Sequence, residues 1–164
     1  MSMRLNIAGK NILCQLILLL VLAAGGLSDG AEPDNRAVHW LTYREAMAAG
    51  QNQDKPILLH FTARYSGICR RMKRETYQDP KVIRYLNGYF AVAMVDVEDL
   101  PALARKYKAE TLPMLWFLDS SGKPLTSING EVGPQKMLRV TEYINDKIYE
   151  HTDYTTWLDK RTGR

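Results

Sequence analysis

The chain has 164 residues, 46% hydrophobic and 24% charged, which sets a single globular domain as the expectation. A formal charge of +4 is too small a surplus to point by itself to nucleic acid, and no nucleic-acid partner is expected. Two cysteines and three histidines, scattered along the chain, fall short of the clustered ligands a zinc site needs, so neither a metal nor a cofactor is expected.

The first 31 residues form a segment of their own. Arg4 and Lys10 make a positive start, Ile12 to Leu22 is apolar except for Gln15, and Ala23 to Gly26 are small. This is the layout of a secretory signal peptide, with cleavage expected after Gly26 or Ala31. The alternative is an uncleaved anchor, against which the apolar run of about 11 residues is short of the roughly 20 that span a bilayer. Membrane contact is expected only through this segment, and the domain is expected to be exported to a periplasmic or extracellular space. Cleavage at Ala31 leaves 20 basic and 17 acidic residues, a charge of +3, and one cysteine, Cys69. A lone thiol in an oxidising compartment has no internal partner, so it is either buried and inert or reactive.

In chain order, His39 to Ala49 reads as a helix stopped by Gly50, and Ile57 to Phe61 (ILLHF) as a buried strand. Thr62 to Gly67 reads as a loop. Ile68 to Tyr77 follows as a helix with Cys69, Met72 and Thr76 on one face. Asp79-Pro80 opens a helix that Gly88 stops. Tyr89 to Val97 reads as a second buried strand, and Asp99 to Tyr107 as a helix with Leu100, Leu103, Ala104 and Tyr107 inward. Met114 to Leu118 is a third strand. Ser120 to Lys123 is a turn, with a fourth, edge strand returning over Pro124 to Ile128. A last helix runs from Pro134 to about Tyr149, and residues 151–164 read as a polar tail, free by default, with docking on the body or on a partner through Tyr154, Trp157 and Leu158 as the alternative. This order implies an α/β fold: a small mixed β-sheet flanked by helices on both faces.

The stretches Lys55-Pro56-Ile57-Leu58-Leu59, Phe61 through Cys69, Thr111-Leu112-Pro113 and Phe117 through Gly122 carry a resemblance. Over residues 40 to 149 the chain resembles exported thioredoxin-like proteins related to thiol:disulfide interchange domains. The resemblance implies the thioredoxin-like fold over residues 32–150, a protein or peptide thiol/disulfide partner, and a cis proline at Pro113 beside the cysteine loop. It also implies a partner surface formed by Tyr65, Gly67, Ile68, Leu112 and Pro113.

Two departures from that family's pattern matter. Its aromatic-Cys-x-x-Cys motif stands here as Tyr65-Ser66-Gly67-Ile68-Cys69, a degenerate Ser-x-x-Cys, and its buried acid six positions earlier is replaced by His60. Exchange begins with a thiolate attacking a disulfide sulfur, and the Ser66 hydroxyl cannot do this, so two-cysteine cycling within one chain is excluded. In the other direction, a protonated His60 near the start of the Cys69 helix would favour a thiolate, helped by Arg64, Arg70, Arg71, Lys73 and Arg74. Cys69, Ser66 and His60 are therefore the candidate catalytic residues. The plainer alternatives are a core histidine and a thiol acting as a small hydrophobe. Three functions remain in view. The first is a partner-binding domain with weak or no dithiol exchange. The second is a single-cysteine oxidoreductase using Cys69 assisted by His60. The third is an accessory subunit whose redox residues have decayed.

Overall fold

The computed structural model describes residues 35–163, so the expected signal segment lies outside the described residues. The element order is α1 (Tyr43–Gln53), β1 (Ile57–Thr62), α2 (Gly67–Glu75), α3 (Pro80–Tyr89), β2 (Ala91–Asp96), α4 (Pro101–Lys106), β3 (Met114–Leu118), β4 (Pro124–Asn129) and α5 (Pro134–Asn145). A short 3-10 turn (Ile148–Glu150) and α6 (Tyr154–Thr162) follow.

The four strands form one mixed sheet in the order β2-β1-β3-β4. β1 pairs parallel with β2 and antiparallel with β3, and β4 returns antiparallel to β3. Side chains of β1 alternate between two cores. Leu58 joins Met72 of α2, Val82, Ile83 and Leu86 of α3, and Met137, Val140 and Ile144 of α5. Ile57, Leu59 and Phe61 join Ala46 of α1 and Ala104 of α4 on the opposite face. Helices therefore cover both faces, as the element order implied.

Boundaries shift where local chemistry competes with periodicity. α1 begins at Tyr43, four residues later than expected, because Thr42 and Glu45 form a capping box. Thr42 Oγ1 accepts from the Glu45 N–H at 3.3 Å, and the Thr42 N–H donates to Glu45 Oε2 at 2.8 Å. Leu41 instead extends the sheet, its N–H donating to Val92 O at 2.8 Å in a single parallel bridge beside β2. Gly50 does not stop α1. It lies buried within the helix, where an added Cβ would come within 2.6 Å of Ile57 Cγ1, so it is a close-packing residue rather than a terminator. Leu100, expected inward, is 44% exposed, because Pro101 starts α4 and leaves Leu100 outside its helical period.

The C-terminal tail is helical and docked, the alternative its aromatic residues offered. Residues 154–162 form α6, capped by Asp153, whose carboxylate accepts from Thr156 N at 3.0 Å and Thr156 Oγ1 at 2.7 Å. Tyr154 and Trp157 lie 5.3 and 5.5 Å from the Tyr143 ring, centroid to centroid, and Tyr143 Oη donates to Thr152 O at 2.6 Å. Two aromatic residues in an otherwise polar segment supply enough apolar area to dock it.

Candidate functional site

β1 delivers the chain to the site, and α2 carries it away. Residues 63–66 turn between them, and Ser66 takes the N-cap position in extended backbone conformation, with φ −76° and ψ 112°. Its Oγ accepts from the Cys69 N–H at 3.3 Å. Ser66 thus has a structural duty: it satisfies one of the orphan donors of the helix start, a contact worth about 1 kcal/mol.

Cys69 sits in the first turn of α2 with its side chain toward the sheet, leaving the residue 2% exposed. A cleft of about 280 Å³ reaches it, lined by Thr62, Ala63, Arg64, Arg70, Lys73, Met94 and Asp96. Tyr65 and Ile68 stand on the outer surface at 70% and 46% exposure, with Gly67 exposed between them. The Leu112-Pro113 bond is cis, as the resemblance implied. Because Phe61 pairs with Met114, the β1–β3 register puts Pro113 at the end of the sheet from which the Ser66 loop leaves. Pro113 does not line the Cys69 cleft.

His60 points to the same face of the sheet as Leu58 and is 1% exposed. Its ring packs 5.2 Å from Tyr77 and 6.1 Å from Trp40, and neither nitrogen has a hydrogen-bond partner among the described residues. Burial, aided by the nearby positive charge of Lys73, pushes its pKa down to about 4. The expectation of a cationic His60 is therefore corrected: at neutral pH the ring is uncharged and lends Cys69 no positive charge. Tyr77, the ring beside it, has its hydroxyl buried without a partner among the described residues, and its pKa is raised by burial and then by the neighbouring Cys69.

The basic residues near the loop divide by partner. Arg64 is held by Asp99 at 3.2 Å, Glu98 at 3.7 Å and Asp96 at 3.9 Å, which raises its pKa and cancels most of its outward charge. The short acidic run Asp96–Asp99 thus anchors the loop as well as ending β2. Arg70 donates to the Arg64 carbonyl at 2.7 Å, and Arg71 donates through Nε to Glu131 at 2.8 Å. Lys73 and Arg74 occupy the last turn of α2, where cations suit the helix dipole. The sequence reading did not single out Met94 and Asp96 as walls of the cleft. Parallel pairing of His60 with Met94 and Thr62 with Asp96 puts them there.

A four-stranded mixed sheet with helices on both faces, a loop-to-helix junction carrying Ser66 and Cys69, and a cis proline at the same end define a thioredoxin-type domain. The family model for the thioredoxin-like domain matches residues 43–145, and the chain belongs to that family. It is 33% identical over 92 residues to thioredoxin Y2, chloroplastic, of Arabidopsis thaliana, covering 56% of this chain and 53% of that protein. To the thiol:disulfide interchange protein DsbD of Yersinia pestis (strain Pestoides F) it is 31% identical over 136 residues, 73% of this chain and 23% of that one. The chain therefore spans about half or less of the curated relatives it matches. Among solved structures, a thioredoxin from Thermus thermophilus superposes with a TM-score of 0.60 at 25% identity, covering 66% of this chain and 87% of that one. The protein is a thioredoxin-fold relative of thiol:disulfide oxidoreductases.

Proposed function

We propose that this is a partner-binding thioredoxin-fold domain that has given up dithiol exchange and holds extended peptide at the surface of Tyr65, Gly67, Ile68, Leu112 and Pro113. The observation that carries the reading is the Ser66 hydroxyl, which occupies the position of the attacking sulfur and is engaged in capping α2. Cys69 is buried and His60 neutral, which disfavours either taking over the missing step. The exposed Tyr65 and Ile68 offer apolar area to a bound segment, and that surface needs no thiol. The N-terminal segment supports export, which secretion of an alkaline phosphatase fusion would test.

The test is binding of fully reduced, carboxymethylated insulin B chain, followed by fluorescence polarisation. Wild type and Cys69→Ala should bind equally, and Tyr65→Ser should weaken binding several-fold. Loss of binding in Cys69→Ala would contradict the reading.

A second reading, single-thiol exchange, is favoured by the cleft that opens onto Cys69 between Arg70 and Lys73. There the Cys69 thiolate would attack the disulfide of oxidised glutathione. The new bond joins Cys69 Sγ to one glutathione sulfur, and the other leaves as glutathione thiolate. Its mark is a glutathione adduct on Cys69, visible by intact mass.

A further inference from the structure

Gly130 to Gly133 join β4 to α5. An added Cβ would meet nothing within 4 Å at either glycine, and Gly130 has a φ of +88°, a conformation that favours glycine. The two glycines give this segment a backbone freedom that other contacts must remove. It is tied at three consecutive residues. The Gly130 N–H donates to the Pro113 carbonyl at 2.8 Å. Glu131 accepts from Arg71 in the middle of α2: Nε donates at 2.8 Å to one carboxylate oxygen and at 3.0 Å to the other, which Nη2 also reaches. The Val132 carbonyl accepts from Thr76 Oγ1 at 2.6 Å, at the C-terminal end of α2.

The ties differ in kind. Thr76 and Val132 are buried and belong to the core. The Arg71–Glu131 pair lies at the surface, with the arginine side chain half exposed. Exposed ion pairs add little to folding stability, but a two-point guanidinium–carboxylate contact fixes the relative placement of the groups it joins. Arg71 stands three residues beyond Ile68, on the same exposed face of α2. Glu131 directly follows the residue bonded to Pro113. The pair therefore joins the helix face that carries Ile68 to the strand end that carries Leu112 and Pro113. A wall that moves must be ordered when a partner binds, which lowers affinity, whereas a fixed wall is already in place.

We propose that Arg71 and Glu131 are a positioning pair for the partner surface: their ion pair sets the distance between Ile68 on α2 and the Gly130–Pro113 end, so that one bound segment meets both. The proposal rests on the partner-binding reading of that surface and requires no contact between the pair and the partner.

The test compares Arg71→Glu, Glu131→Arg and the doubly exchanged chain. Arg74→Glu is the charge control, because Arg74 lies on the same helix and no salt bridge among the described residues reaches it. Affinity for carboxymethylated insulin B chain is read by fluorescence polarisation, and amide hydrogen exchange is read by NMR. Each single variant should bind several-fold more weakly and exchange the Gly130 amide about tenfold faster. The Leu41 amide, bonded to Val92 at the far edge of the sheet, should keep its rate, and Tm should stay within about 2 °C of wild type. The doubly exchanged chain should regain both the affinity and the slow exchange, and Arg74→Glu should bind as wild type does. The proposal is overturned by unchanged Gly130 exchange in the single variants, by unchanged affinity where wild type binds, by equal weakening in Arg74→Glu, or by no recovery in the doubly exchanged chain. A wild type that ignores the B chain would instead fail the partner-binding reading, and Gly130 exchange would then decide by itself whether the pair positions this segment.

Discussion

Acid should destabilise this domain through one buried ring. His60 is neutral in the folded state, with a pKa of about 4, while in the unfolded chain it returns to about 6.5. A histidine whose folded pKa is depressed contributes stability that is fully present above the unfolded value. That stability is lost as pH falls from about 6.5 towards 4, because the unfolded chain then binds the extra proton. The full difference of about 2.5 units corresponds to about 3.4 kcal/mol, with about 2 kcal/mol lost by pH 5 and about 3 kcal/mol by pH 4. This is a large share of the roughly 5–15 kcal/mol that holds a domain folded.

Urea unfolding of wild type and His60→Phe across that range isolates the contribution. Phenylalanine keeps the ring stacked on Tyr77 and Trp40 and removes the titration. The carboxylates with lowered pKa, Glu45, Asp119, Glu131 and Asp153, titrate in both proteins and cancel in the difference. Wild type should lose about 2–3 kcal/mol more than the variant between about pH 7 and pH 4. Parallel stability curves, or a wild type that gains on acidification, would refute the buried neutral ring.

Three further outcomes follow from the packing. Gly50→Ala should destabilise by about 1–2 kcal/mol although alanine is the better helix former, because the new Cβ meets Ile57 at 2.6 Å; thermal melting reads the sign. Trp157→Ala should cost about 2 kcal/mol by stripping its packing from Tyr143, lowering Tm by several degrees. Ser66→Ala, which removes the cap of α2 without touching the sulfur, should cost about 1 kcal/mol in urea unfolding.

How much of this was legible in the sequence depends on which force sets each element. β1 and β3 are buried apolar runs, and Ile57 and Met114 to Leu118 mark them directly. The face of α2 carrying Cys69, Met72 and Thr76 was readable for the same reason, since three-and-four spacing leaves only one way to bury them. The start of α1 was misplaced because apolar spacing cannot see a side chain reaching back to the backbone, as Glu45 does to Thr42. Gly50 reads as a stop in any local scheme, and its contact with Ile57 exists only once the strand has returned. The place of His60 on β1 was readable but its charge state was not, because that depends on how fully Trp40, Tyr77 and the sheet enclose it. The departure at Ser66 from the family pattern was visible, while its role as a cap needed the loop geometry. The C-terminal segment is polar on the whole, and only Tyr154 and Trp157 in it pointed to docking on Tyr143.

The central claim is that exchange cannot begin where Ser66 stands. Reduction of insulin by dithiothreitol, catalysed by wild type and by Ser66→Cys side by side, tests it most directly. The account predicts that wild type stays at the uncatalysed rate while the variant, with Cys69 behind a new first thiol, turns over. Wild-type catalysis as fast as the variant's would contradict it.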